Sequence, residues 1–566
     1  MTFFNPSRTS CTDSKLLLIR ATLAFRPLAP TMEMLMTGLA RSNLVVAAGT
    51  AVSRLTGLAR IVVFGVIIGQ TALADAFDSA NNSPNAIYEL LIGGVLSASL
   101  VSLFSQFVER DEYEHVGTKS TDAIISVAVI ALFVITALAV VFSPAIFHLF
   151  SLNPAQGVDV ETFRSVGTAI TRIVVLQIFF YGLSALTSAL LNARKLFFTA
   201  AWSPAIANLV TIAIFCVIPL RYPNRQFDIA FANDQQGVIW LLALGTTLGI
   251  ATMAIIQVAA VIRHGMSFSF SPKFSHPAVR KLLTLSMWTL GYVAANQVAL
   301  VVIKNLASPG SGGVDAYAKA FVLLQLPHGL LAVSIATTFV PELARMFHRG
   351  DHSAFSTTMS NGIHLTALLT IPAALGLWVL ATPIVGVLFQ HGNFSAQATT
   401  TTARALSGLA LGLAGFSLYL FVLRGFYARN DTKTPFFLNL FENALNIIFA
   451  IILVGRHGVF GLGIAFSLAY LISAAVALIA LERTEVDINI SQLLGNIVRI
   501  VAAGGVMVLA VLVATSAIDG DAGIAALSRV IVGVVVGGAA YLVALRVFGE
   551  STLRDYLSSN TTRSSR

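Results

Sequence analysis

Apolar runs of about 20 residues alternate with short polar stretches along nearly the whole chain. About 14 such runs are present, beginning near Leu44, Pro84, Ala123, Phe163, Ala200, Gly237, Lys281, Ala316, Gly362, Arg404, Pro435, Phe460, Ile497 and Ala525. About 20 apolar residues in a helix cross the ~30 Å hydrocarbon core of a bilayer. The pattern therefore predicts an all-α polytopic membrane protein with about 14 transmembrane helices. Pro and Gly interrupt several runs, which a bundle tolerates when neighbouring helices satisfy the freed backbone groups. The boundary hardest to draw lies within 362–390, where Pro372 and Pro383 break one long run.

The polar stretches fall into two unequal sets. Alternate stretches, with both chain ends, hold twenty-three Lys and Arg, from Arg8 and Arg41 through Arg194, Lys195, Arg263, Arg345, Arg424 and Lys433 to Arg566. The intervening set holds three: Arg221, Arg225 and Arg456. By the positive-inside rule both termini are cytoplasmic. An odd error in the count would have inverted the alternation downstream, and it does not invert. Charged residues make up only 11% of the 566 residues, 56% are hydrophobic and the mean hydropathy is +0.82. This excludes a water-soluble enzyme and a disordered chain. The net charge of +9 is explained by topology, so no nucleic-acid partner follows from it. Cys11 and Cys216 offer neither a disulfide framework nor metal spacing. Residues 1–42 read as a tail that is dispensable or precedes the true start; "KLLLIRATLAF" within it is too short to span.

Two stretches 240 residues apart look alike. One opens at Asp75 as DAFDSANNSPNAIYELL and the other at Asp315 as DAYAKAFVLLQLPHGLL. Shared composition alone could produce the likeness. A true repeat would make runs 1–6 (43–263) and runs 7–12 (264–482) parallel six-helix lobes with substrate between them. Two further helices (483–548) and a cytoplasmic tail (549–566) would follow.

Ionisable groups inside spans cost several kcal/mol, so they face cavities or partners. Arg54 and Arg60 lie in the first run, in SRLTGLAR; an Arg fork suits phosphate because it donates two parallel charge-assisted bonds. Glu89, one turn beyond Pro84, is a candidate partner for either. Lys319 and Gln325 lie in the eighth run, ahead of Pro327. Asp78 reads as an exposed acid, Lys304 as an interface marker, Arg164 and Arg404 as snorkelling cations, and Glu342 with Arg345 as a surface pair. There is no GxxxxGK[ST] loop, HExxH or paired-Cys zinc motif. These absences leave transport or scaffolding ahead of catalysis, and no cofactor is expected.

Four ordered stretches resemble the MurJ/MviN family, the lipid II flippases of the MATE-like MOP exporter superfamily. They are SRLTGLARIVVFGVIIG followed by ADAF, LPHGLLAVSIATTFVPELARMF, GVLFQHGNFS, and LRGFYARNDTKTPF. The resemblance covers roughly 42–548. It implies a V-shaped bundle of two lobes around a cationic cavity in the bacterial plasma membrane. It further implies alternating access that moves undecaprenyl-diphosphate-linked peptidoglycan precursor from the inner to the outer leaflet. Expected partners are that precursor, membrane lipids and cell-wall synthesis proteins. Arg54 and Arg60 match the family's cavity arginines, and Asp75 its outer Asp. The family's second-helix Arg falls at Tyr88, and its Arg-x-x-Glu before the Pro reads Val322-Leu323-Leu324-Gln325. Lys319, one turn before Val322, is the candidate replacement charge. Asn443 and Asn446 could lend oxygens to a cation, but packing explains them as well. The alternatives are an exporter of another polyprenyl-linked oligosaccharide and a membrane scaffold of a cell-wall assembly complex.

Overall fold

The computed structural model describes residues 38–91, 117–266, 269–272, 287–484 and 490–549. The N-terminal tail before 38, the 92–116 segment with Gly93 and Gly94, and the start of the seventh run at Lys281 lie outside the described residues. The described residues are helical with short connections and contain no strand. Where water is absent, a helix satisfies its own backbone N–H and C=O groups.

In the first half, α1 (Gly38–Ile68), α2 (Ala72–Leu91), α3 (Gly117–Val141), α4 (Val160–Val174), α5 (Gln177–Ala193), α6 (Phe197–Phe215) and α7 (Gln236–Arg263) follow in order. In the second half, α8 (Met287–Leu306) precedes α9 (Gly313–Pro327), which runs through a π-turn (His328–Ala332) into α10 (Val333–His348). Then come α11 (His352–Val379), α12 (Ala381–Phe389), α13 (Ala396–Ala410), α14 (Leu413–Ala428) and α15 (Lys433–Glu482). Two more helices close the chain, α16 (Ile490–Thr515) and α17 (Gly523–Val547). Ten helical stretches among the described residues are long and apolar enough to cross a membrane, and α13 with α14, bent by 46°, makes an eleventh. The 50-residue α15 turns back at Gly458, whose φ of 56° and ψ of −137° leave helical space, so it serves the runs predicted at Pro435 and Phe460. The uncertain stretch 362–390 is α11 continuing into α12, with the break at Leu380 rather than at either proline. This succession is consistent with about 14 crossings.

Each half builds its own core. In the first, Phe64 of α1 stacks on Phe77 of α2 at 4.7 Å, with Phe215 of α6 closing the cluster. In the second, Phe421 of α14 packs so tightly over Gly362 of α11 that a Cβ there would meet its ring at 2.1 Å. Small residues bring backbones together where apolar burial alone gives helices no preference for each other over lipid. Gly408 of α13 and Gly463 of α15 are such a pair: a Cβ on either would stand within 3.1 Å of the other's backbone. Helices α16 and α17 pack on each other and against α11 and α12, with Gly504 under Leu375 and Gly533 under Leu380.

Candidate functional site

The two halves meet most closely at the end opposite the described chain ends. Asp75, in the first turn of α2, is fully buried. Its Oδ2 accepts from the backbone N–H groups of Gly310 and Gly312, both at 2.8 Å, and its Oδ1 from that of Asp315, also at 2.8 Å. A buried carboxylate survives only where donors replace its water, and this one takes three from the opposite half. Two of them come from a strap, 306–313, that enters α9 through Gly310 (φ 95°) and Gly312 (φ 82°), backbone conformations that glycine adopts without Cβ strain. A Cβ on Gly312 would also meet Gln70 at 2.7 Å. Asp75 and Asp315, which open the two similar stretches, thus meet in space, Asp75 accepting from the backbone N–H of Asp315.

Further bonds tighten this end. Asp78 Oδ2 lies 2.5 Å from Lys304 Nζ on α8, so Asp78 is not the free loop acid its position in the sequence suggests. Asn305 accepts from Leu152 N at 2.6 Å and donates to Leu149 O at 2.9 Å. Asn393, within the GVLFQHGNFS stretch, donates its side-chain N–H to Ile67 O at 2.6 Å and its backbone N–H to Val66 O at 2.9 Å. That stretch therefore docks on the end of α1. Neighbouring Gly69 and Gly392 both have positive φ and no room for a Cβ, which would lie 2.6 Å from the opposing carbonyl.

Lys319 also belongs to this closed end. It is 2% exposed, pairs with Asp315 one turn earlier, and lies over the rings of Phe64 and Phe394. It therefore does not offer a free cavity charge in this conformation. Its spacing from Asp315 is that of an i, i+4 pair within one helix; what depends on how α9 is rotated against α1 is its burial beside Phe64 and Phe394.

Arg54 lies at mid-height on α1. Its guanidinium rests against Gly329 in the π-turn, where a Cβ would stand 2.2 Å from Nη1. Asn208 of α6 donates to Ser53 O and Thr56 Oγ1, both at 3.2 Å, and so clamps the turn that carries Arg54. Beside Gly329, His328 bonds Ser417 Oγ at 2.9 Å and lies against Phe416 at 4.5 Å. Arg54 and Arg424 are both within electrostatic reach of His328. Arg424, which reads as a loop residue by sequence, sits inside α14 and is exposed there. Its distance of five residues from the helix end at Arg429 was the available signal.

Arg60, two turns beyond Arg54, faces Tyr181, whose ring lies 4.8 Å from that of Tyr88. The position that carries a cation in the resembled family thus holds half of an aromatic pair. Glu89 meets neither arginine; its Oε2 accepts from Gln297 on α8 at 2.7 Å. Gln325 is exposed on α9. Among the described residues no carboxylate pairs with Arg54, Arg60 or Arg424, and no group of three His, Cys, Asp or Glu could hold a metal ion. Arg164 donates to Ser151 O at 2.8 Å rather than reaching for an interface, while Glu342 and Arg345 do form an exposed pair at 2.5 Å. The arrangement is a sealed end next to guanidinium groups without a carboxylate, which suits an anion entering from the other side.

The family model described as "Lipid II flippase MurJ" matches residues 64–540. The lipid II flippase MurJ of Burkholderia cenocepacia is 30% identical over 403 residues, 70% of this chain and 74% of that protein. A probable lipid II flippase MurJ of Vibrio cholerae is 28% identical over 479 residues, 84% of this chain and 89% of that one. Among solved structures, a lipid II flippase MurJ in an inward closed conformation superposes with a TM-score of 0.72 at 23% identity, covering 91% of this chain and all of that one. An inward-facing MATE transporter of the MOP superfamily follows at 0.59 and 15% identity, covering 75% and 99%.

Proposed function

Because the chain belongs to the lipid II flippase MurJ family, we propose that it moves the undecaprenyl-diphosphate-linked peptidoglycan precursor, lipid II, from the inner to the outer leaflet of the bacterial plasma membrane by alternating access. In this reading 43–263 and 264–482 are the two lobes, both termini are cytoplasmic, and the sealed end faces outward. The observation that carries it is the juxtaposition of an Asp75-centred seal with Arg54, Arg60 and Arg424, none of them neutralised by a described carboxylate. A closed outer end and an accessible cationic interior are what a carrier needs when it awaits a diphosphate from the cytoplasmic side. Arg54 and Arg60 supply forks for the diphosphate, and Arg424 supplies a cation from the second lobe where the family's eighth-helix Arg is Val322. Asp75 holds the outer end shut. Lys319 acts with it by neutralising Asp315, and Gln325 lies on the same helix at the level of the cavity. Cargo that binds the inward-open and outward-open states unequally shifts the balance between them.

The test is depletion of the resident flippase with this chain supplied in trans, reading lipid II in the outer leaflet. Wild-type chain restores it, and Arg54→Ala and Arg60→Ala fail at normal membrane levels. Failure of the wild-type chain, in a host where a related flippase succeeds, would turn the assignment toward another lipid-linked glycan. Restoration that survives both substitutions would keep the function and discard the site.

A further inference from the structure

A second polar recess lies away from the cavity arginines, at the sealed end of the second half. Its volume is about 290 Å³, and its walls include Ser308 and Ser311 of the strap, Gln397 and Arg404 of α13, and His457 where α15 turns back. No Asp or Glu lines it. Thr400 and Thr401 also border it, but their hydroxyls already donate to Ala396 O and Gln397 O, both at 3.0 Å. Ser311 donates to Ser308 O. The donors left over are the Arg404 guanidinium, the Gln397 amide, the His457 ring and the Ser308 hydroxyl. A recess of donors around one guanidinium with no carboxylate in its walls matches an anion, and a phosphate best of all.

Its height in the membrane narrows the source. Arg404 is nine residues along α13 from the Ser395 cap, about 13 Å from the helix end at 1.5 Å per residue, and the recess opens beside the strap and the turn of α15. An exposed Arg on an apolar bundle is costly unless its long side chain reaches the headgroup level, where lipid phosphates meet it. We propose that this recess binds the phosphate of a lipid headgroup in the outer leaflet, and that the bound headgroup braces the strap. The strap has two faces: Asp75 holds Gly310 and Gly312 on one, and Ser308 and Ser311 form the wall of the recess on the other. A ligand that fits only the latched strap favours the sealed end by its differential affinity. The site is independent of the cargo that crosses the molecule.

The full chain with Cys11→Ser and Cys216→Ser, reconstituted in phosphatidylglycerol vesicles, provides the test. Gln70 Nε2 and Thr402 Oγ1 are 3.4 Å apart across the halves, so Gln70→Cys with Thr402→Cys, joined by a short bifunctional thiol reagent, reports the sealed end by crosslink yield. The yield should rise with phosphatidylglycerol against a phosphate-free glycolipid, and Arg404→Gln should abolish the rise. Native mass spectrometry should show Arg404→Gln retaining about tenfold less phosphatidylglycerol, the loss expected for one charged hydrogen-bonding partner, with Arg404→Lys retaining part of it. Equal retention by wild type and an Arg404→Gln chain of unchanged melting temperature would overturn the site. Inorganic phosphate added to glycolipid vesicles tests the other source: if it raises the yield as much, the lipid assignment falls and an anion site remains. None of these readouts involves lipid II, so they stand or fall apart from the flippase reading.

Discussion

At Gly329 a single methyl group would act on a cavity cation rather than on the backbone. Arg54 already occupies the space a side chain would take, so Gly329→Ala must push the guanidinium away from the π-turn. Its expected phenotype is that of Arg54→Ala, roughly a tenfold or greater loss of outer-leaflet lipid II, because misplacing a positioned group by 1 Å can cost up to 10²-fold. Normal melting with lost transport would confirm that the effect is on position rather than folding. Asp75 offers a second test. Asp75→Asn keeps the volume but replaces a charged acceptor of three N–H groups with a neutral amide. Hydrogen bonds to charged groups are worth about 1.5–3 kcal/mol, so the sealed end should open. Crosslink yield between cysteines at 70 and 402 should fall at least several-fold; an unchanged yield would remove Asp75 from the latch. Both positions were visible in the sequence, Asp75 through its repeat and Gly329 within LPHGLL. What Gly329 faces was not, because nothing near it in the chain announces an arginine 275 residues earlier.

The helices as units were the most legible level. Apolar length depends on neighbouring residues alone, so every predicted run that begins within the described residues begins in helix. The departures have local causes. Helix α2 carries Asp75, Asp78, Asn81 and Asn82 in eight residues, a face that is polar because it is shared between the halves. The α11–α12 boundary falls at Leu380, since Pro372 sits inside α11 and Pro383 in the first turn of α12, where a proline costs no hydrogen bond. Close backbone approach between α13 and α15 rests on glycine. At Gly408 a Cβ would lie 2.7 Å from Phe460 O and 3.1 Å from Gly463 Cα, so Gly408→Val should separate the pair. Overpacking of this kind costs about 1–3 kcal/mol, and a lower melting temperature with unchanged helical signal would report it. An unaltered melting temperature would mean that the contact gives way without cost.

At the scale of the whole molecule, the halves are joined by buried polar bonds as well as by apolar packing of Leu58, Ile61 and Val62 on the second-half core. Lys304 and Asp78 are the most readily tested of these. Breaking a buried pair by removing one partner typically costs about 3–5 kcal/mol, and here the cost falls on the sealed conformation that forms it. Lys304→Ala and Asp78→Ala should each weaken the seal, and the double substitution should weaken it less than the sum of the two, a coupling read by crosslink yield at 70 and 402 in a double-mutant cycle. Strict additivity would show that the pair contributes nothing across the interface. Closure of the halves at one end was not readable in the sequence, since a carrier sequence specifies both of its conformations.

Hydropathy and basic-residue counts are one-dimensional quantities, and they sufficed for an all-α membrane protein of about 14 crossings. Motifs in order along the chain sufficed for the family and for Arg54, Arg60 and Asp75 as candidates. Which groups actually meet was decided only by tertiary packing. The rotation of α9 against α1 buried Lys319 against Phe64 and Phe394, the depth of α14 brought Arg424 toward His328, and the meeting of two stretches of chain 240 residues apart put Asp315 N–H on Asp75. Pairing between helices depends on their rotation, height and tilt, and local sequence constrains none of these three.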